Sequence, residues 1–251
     1  PHQLFADHPA LAHSPETVAV IEDSLFFGDR RYPAAFHKQK LWFHRSSMTR
    51  YAQHLQGRGL SVTYVEHDPT HPTLGGFLDR FAASGGARVV VADPHDFMLK
   101  RRLERACERL ELALMYTSTP MFLNTSDENQ AYREGKKRWF MADFYKFQRR
   151  RLDVLMDGDE PVGGKWSLDH DNRKKVPKKL LSQIPALPAL EADEFDEAAR
   201  RHVHKRYARN PGSLDTLWLP TSHDGADRWL RRFIQERFQR FGDYEDALVE
   251  G

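Results

Sequence analysis

The sequence predicts an α/β fold: a doubly wound parallel sheet, followed by a connector and the first helices of an α-helical domain. Short β-branched runs alternate with helical periodicity across 17–114, the pattern of successive strand-helix-strand units. The run ARVVVADP at 87–94 is almost wholly apolar before Asp-Pro ends it, as suits a strand covered on both faces. Strands separated by crossover helices pair in parallel with helices on both sides, and such sheets bind ligands outside the carboxyl ends of their strands. Here those ends carry Glu22, Asp23, Glu66, Asp68 and Asp93.

Each element has a local reason. TVAVIED at 17–23 reads as a buried strand, from its β-branched residues. The segment at 32–59 reads as a helix, with Pro33 suited to its first turn and Gly57 and Gly59 to its end. Leu41, His44, Met48, Tyr51 and Leu55 recur at three- and four-residue steps and form one stripe. LSVTYVEH at 60–67 is the next strand, and 73–84 is a short helix with Leu74, Phe77, Leu78 and Phe81 inward. The helix at 95–112 buries Leu99, Leu103, Ala106 and Leu110, and ALMYT at 113–117 closes the unit. Cys107, the single cysteine, lies beside that stripe and reads as a packed thiol.

Beyond Thr117 the alternation stops. The helix expected at 138–157 carries Phe140, Phe144, Phe147 and Leu155 at helical spacing, a stripe that reads as core rather than as a base-stacking platform. From 156 to 194 the chain is rich in Gly, Pro and Lys, the composition of a connector. Helical patterns return at 193–208 and at 222–249, the latter with Trp229, Phe233 and Phe241 on or near one face. The expected division is an α/β domain at 1–130, a helix plus connector at 131–192, and the start of a helical domain at 193–251.

Composition narrows the function classes. At 251 residues and 40 % hydrophobic content the chain can bury a real core, and no apolar run approaches the length of a membrane span. It reads as cytoplasmic. One cysteine excludes an intrachain disulfide or a cysteine-rich metal site within these residues. Residues 136–179 hold thirteen Lys/Arg against seven Asp/Glu, which suggests either a polyanion partner or a solvated basic linker.

Motifs for familiar chemistry are missing. Gly158 and Gly163 have the spacing of a phosphate loop, but Gly164 stands where the Lys belongs and Trp166 follows Lys165. The dinucleotide, nucleophile-elbow and zinc-protease patterns are absent. His202 and His204, two apart on a helix, point to different sides and read as surface histidines; His67, Asp68 and His71 have the side chains to touch a metal, but three polar residues in a loop are common. No catalytic set and no metal site can be assembled from these residues.

FHKQKLWFHRSSM at 36–48, together with MDGDEPVGGKWSLDHDNRKK at 156–175, resembles the deoxyribodipyrimidine photolyase-related family, the bacterial photolyase/cryptochrome branch that carries an iron-sulfur cluster. PHQLFADHPAL at the start, IEDSLFFG at 21–28 and FMADFYKFQRRRLDVLMDGD also look familiar, so the resemblance runs from Pro1 to about Gly251, in order and with few gaps. In that family the first loop follows an apolar strand. The chain opens without one, as a trimmed product would.

The resemblance implies a Rossmann-like photolyase antenna domain that holds a ribityl-lumazine, and a helical domain that binds FAD and DNA carrying UV lesions. FAD and a 4Fe-4S cluster are expected only in a C-terminal half beyond this sequence, in a protein that is monomeric and a lyase when complete. By the same resemblance, antenna contacts fall on His2, Gln3, Leu4, Glu22, Asp23, Phe26, Phe36 and Lys40; alternatively Phe26 and Phe36 are core and Glu22 caps a loop. Lys165, Trp166, Arg173, Lys174 and Lys175 belong to the interdomain connector, Trp166 as its anchor and the cations as contacts for DNA phosphates. Catalytic residues are expected outside this chain. The rival readings are a cryptochrome-like photoreceptor without repair activity and an unrelated nucleotide-binding α/β protein.

Overall fold

The computed structural model describes residues 1–168 and 172–248, so Asp169, His170 and Asp171 of the connector and Val249 at the end of the last expected helix lie outside the described residues. The chain forms two compact units, residues 1–123 with 189–227, and residues 124–188 with 228–251.

In the first unit, β1 (Val18–Ile21) pairs in parallel with β2 (Val62–Val65), with Val20 opposite Tyr64. Between them come α1 (Ser24–Phe27), a single turn capped by Asp23, and α2 (Lys38–Gly57). The helix α3 (Thr73–Ala83) leads to β3 (Arg88–Ala92), which pairs in parallel across α4 (Phe97–Arg109) with β4 (Ala113–Thr117). The α/β class and the parallel pairing are as expected. The continuous doubly wound sheet is not seen: among the described residues the strands form two separate parallel pairs.

The α2 stripe is the spine of the larger core. Leu41, Met48, Tyr51 and Leu55 are buried there with Trp42, Val20 and Phe27. A second core gathers Leu78, Leu103, Ala106, Cys107 and Leu112 between α3, α4 and the second strand pair. Cys107 is buried, and burial raises its thiol pKa.

The helix α2 starts later than its sequence suggests. His37, not Pro33, is the cap, its Nδ1 accepting from the Gln39 amide at 3.2 Å. Residues 33–37 stay non-helical, and the Phe36 carbonyl accepts from Asn210 Nδ2 at 2.9 Å. Tertiary contact overrides the proline signal here.

The second unit opens with α5 (Ser126–Arg133), whose capping box joins Thr125 and Glu128. It is followed by α6 (Met141–Leu152) and by a two-residue antiparallel pair, β5 (Met156–Asp157) with β6 (Glu160–Pro161). The expected helix at 138–157 ends early because Asp153 is left-handed, φ 52°, and Arg149 turns to bond the Val154 and Leu155 carbonyls. Its aromatic stripe is not core: Phe144 and Phe147 meet Tyr132 of α5, at 5.0 and 4.7 Å between ring centres, but Phe144 is only half-buried, and Phe147, Phe140 and Leu155 are exposed. One helical turn, α7 (Lys178–Leu181), follows Pro177.

The helix α8 (Glu194–Arg206) was placed by sequence in a separate helical domain, but it belongs to the first unit. Trp42 Nε1 donates to the Asp196 carbonyl at 2.8 Å, and Arg50 forms a two-pronged ion pair with Asp193, the cap of α8. Ala199 and Val203 complete the core on α2. The last expected helix is two, α9 (His223–Glu236) and α10 (Phe238–Tyr244), broken at Arg237.

Candidate functional site

The carboxyl end of β1 divides into two environments, one closed and one left polar without partners. Glu22, fully buried, belongs to the closed one. Its Oε1 accepts from Arg45 Nη1 at 2.7 Å and from the Tyr64 hydroxyl at 2.6 Å, and its Oε2 accepts from the His67 amide at 2.9 Å. Arg45 also pairs with Glu66. Burial works against the Arg45 charge, but Glu22 and Glu66 more than restore it and its pKa rises. Burial, then Glu22, raises the Tyr64 hydroxyl far above its usual range. Three bonds hold both oxygens of Glu22, so this carboxylate ties the strand ends to α2 and the His67 loop.

His67 is held in one tautomer. Its Nε2 lies 2.9 Å from the Gly28 carbonyl and must donate, so Nδ1 accepts from the Tyr207 hydroxyl at 2.8 Å. Burial lowers its pKa, which keeps this neutral form.

The other environment is the cluster around Phe26. The His2 ring lies 5.2 Å from that of Phe26, and His44 meets Phe26 edge-on at 6.4 Å and Phe27 at 6.0 Å. Nδ1 of His44 is buried with no hydrogen-bond partner; the ring nitrogens of His2 are buried too, beside the Pro94 carbonyl, which acts against the larger lowering of the His2 pKa by burial. Burial lowers the pKa of both histidines, that of His44 to about 3, with Lys40 and His2 adding to the effect on His44. Lys40 Nζ lies 4.2 Å above the Phe36 ring. Gln3 Nε2 donates to the Ala92 carbonyl at 2.6 Å, and the Leu4 carbonyl accepts from His223 at 2.6 Å. Asp23 caps α1 through the Leu25 amide at 2.9 Å, and burial raises its pKa.

Of the eight residues expected here, His2 and Phe26 meet, Lys40 lies over Phe36 and its charge reaches His44, while Gln3, Leu4, Glu22 and Asp23 have structural partners. His44, a member of the α2 stripe, is its one imidazole, and that departure from an apolar pattern is the sequence signal for its buried, unpartnered nitrogen. Buried, neutral imidazoles that lack partners cost stability unless something satisfies them. An aromatic wall beside them suits a planar ring that carries carbonyls and ring nitrogens.

In the second unit the connector residues separate as well. Trp166 lies under the Arg149 and Arg150 guanidinium groups of α6, at 5.3 and 4.6 Å, and so is anchored by cation-π contacts. Gly163 and Gly164 take φ of 77° and 71°, a left-handed pair that glycine allows cheaply. Lys174 Nζ pairs with Asp243 at 2.6 Å and Arg173 with Asp246 at 3.3 Å, whereas Lys165 and Lys175 are exposed. No helix is long and apolar enough to cross a membrane among the described residues.

The sequence model of the family described as deoxyribodipyrimidine photo-lyase-related protein matches residues 1–219. The chain is 30 % identical over 188 residues to uncharacterized protein R852 of Acanthamoeba polyphaga mimivirus, covering 72 % of this chain and 94 % of that protein. It is 27 % identical over 218 residues to a (6-4) photolyase of Agrobacterium fabrum, covering 85 % of this chain but only 42 % of that protein. With the match spanning nearly all of the first unit and most of the second, this chain belongs to the deoxyribodipyrimidine photo-lyase-related protein family.

Proposed function

We propose that the chain is the pigment-holding lobe of a light-dependent DNA repair protein, one that splits UV-induced pyrimidine photoproducts and counts as a lyase. The observation that carries this reading is the cluster of buried imidazoles, His2 and His44, against the Phe26 ring, with Nδ1 of His44 lacking a hydrogen-bond partner. A ribityl-lumazine fits it: the ring would lie against Phe26, with its carbonyls and nitrogens meeting the imidazoles, and Lys40 and Phe36 would close the rim. Such a pigment supplies blue-light absorption when bound. The protein's part is to hold and orient it and to exclude water from it.

The two parallel strand pairs are then parts of one doubly wound sheet. In support, residues 2 and 3 touch the carboxyl ends of both pairs, His2 packing on Phe26 just after β1 and Gln3 bonding the last residue of β3. FAD and a 4Fe-4S cluster belong to the part of a (6-4) photolyase-like protein that this chain does not span. The cluster needs more thiolates than one cysteine provides. The whole protein is a cytoplasmic monomer that acts on DNA carrying UV lesions.

The connector cations contribute sequence-independent attraction for DNA phosphates. Lys165 and Lys175 do so directly. Arg173 and Lys174 must first leave Asp246 and Asp243, a small cost for exposed ion pairs. In the protein carrying its catalytic half, blue light is expected to remove cyclobutane dimers or (6-4) photoproducts from DNA, with no loss in the dark. Light-independence, or no repair of either lesion, contradicts the repair reading; the second result with pigment bound favours a photoreceptor.

A further inference from the structure

Beside His67, the end of α1, the segment after it and the end of α8 line an open cavity of about 410 Å³. That is the size range of small-ligand sites. Two guanidinium groups line it, Arg30 and Arg206, and both side chains are exposed. Arg30 spends one of its nitrogens on the Thr70 carbonyl, at 3.0 Å, and keeps its other donors. The acidic side chain of the lining, Asp29, is already occupied: Oδ2 pairs with Arg102 at 2.5 Å, and Oδ1 accepts from the Arg31 and Tyr32 amides at 2.9 Å. Glu66, whose charge reaches toward Arg206, is itself held by Arg45. The cavity therefore presents positive charge.

Its neutral groups present acceptors. Because the Gly28 carbonyl fixes His67 as an Nε2 donor, the Tyr207 hydroxyl gives its proton to Nδ1 and turns its lone pairs outward. Asn210 spends its amide group on the Phe36 carbonyl, which leaves its Oδ1 as an acceptor. An anion flanked by hydroxyl or amine donors matches this arrangement. A bare apolar ring does not.

We propose that this cavity binds a small phosphate monoester of a sugar or nucleoside, its phosphate between Arg30 and Arg206 and its hydroxyls on Tyr207 and Asn210. Planar guanidinium groups suit a phosphate, and backbone and side-chain acceptors suit a ribose. This site is separate from the Phe26 cluster and does not depend on pigment or DNA chemistry. Nothing in its lining supplies a nucleophile positioned for transfer, so the function assigned is binding.

The test is calorimetric titration of the purified chain with AMP, ribose 5-phosphate, inorganic phosphate and adenosine, beside Arg206→Gln and Arg30→Gln. The expected result is binding of AMP and ribose 5-phosphate, with inorganic phosphate and adenosine each weaker. Each substitution should weaken AMP about tenfold or more, which is about 1.4 kcal/mol. Both variants change exposed side chains, and unchanged thermal melting of the free protein confirms that they fold. A third variant, Tyr207→Phe, should weaken ribose 5-phosphate more than inorganic phosphate. Absence of AMP and ribose 5-phosphate binding at millimolar concentration overturns the proposal. So does adenosine binding as tightly as AMP, or an affinity that neither arginine substitution changes.

Discussion

Replacing Arg45 with alanine is expected to destabilise the protein by about 3–5 kcal/mol, the usual cost of breaking a buried ion pair from one side. Glu22 has no exposed surface, and its other two bonds, from Tyr64 and the His67 amide, remain after the substitution. What is lost is the compensating charge, together with the hold on Glu66. The double substitution Arg45→Met with Glu22→Gln removes both charges and should recover a large part of that loss, because an uncharged pair has little desolvation to offset. Urea denaturation of the two variants checks the comparison. If Arg45→Ala costs less than about 1 kcal/mol, Glu22 is not the charged, closed anchor described above.

Stability should also fall steeply as pH drops from about 6.5 toward 4, and His44 should account for much of the fall. Burial holds the folded pKa of His44 down to about 3, against 6.5 for the free side chain. His202, similarly buried, is lowered to about 4. Between those values the unfolded chain binds protons that the folded one refuses, so stability is fully present above pH 6.5 and is lost as pH decreases. Each such histidine contributes a slope of about 1.4 kcal/mol per pH unit. Urea midpoints measured from pH 7.5 to 4 should therefore slope less in His44→Gln, by about one proton. An identical slope would mean that His44 is solvated.

Much of the first unit was legible because its signals are local. The α2 stripe at three- and four-residue steps, the helix 73–83 and the run 113–117 appear where periodicity places them. Cys107 packs as its position beside the α4 stripe implies. What periodicity could not convey is long-range. Nothing near Glu194 says that α8 returns to α2, since the deciding bonds, Trp42 to the Asp196 carbonyl and Arg50 to Asp193, join residues more than 140 positions apart. Nor does a β-strand pattern reveal which neighbours a strand finds: hydrogen bonds join β1 to β2 and β3 to β4 among the described residues.

The candidate site divides in the same way. His2 and Phe26 could be named from a resemblance, yet the pairing of Glu22 with Arg45 was not visible because it depends on the turn of α2 reaching the end of β1. The Thr125 to Glu128 capping box of α5, by contrast, follows a readable spacing and was overlooked. In the connector the cations were plain in the sequence, but Asp243 and Asp246, which pair with two of them, lie some seventy residues away.

The most direct measurement is the absorption spectrum of the purified protein supplied with a ribityl-lumazine, compared with Phe26→Ala and His44→Ala. A single bound pigment per chain in the native protein, with an altered spectrum and weakened retention in both variants, is the predicted result. A chain that takes up no lumazine, or one that holds it equally well without Phe26 and His44, contradicts the assignment of this lobe as the pigment holder.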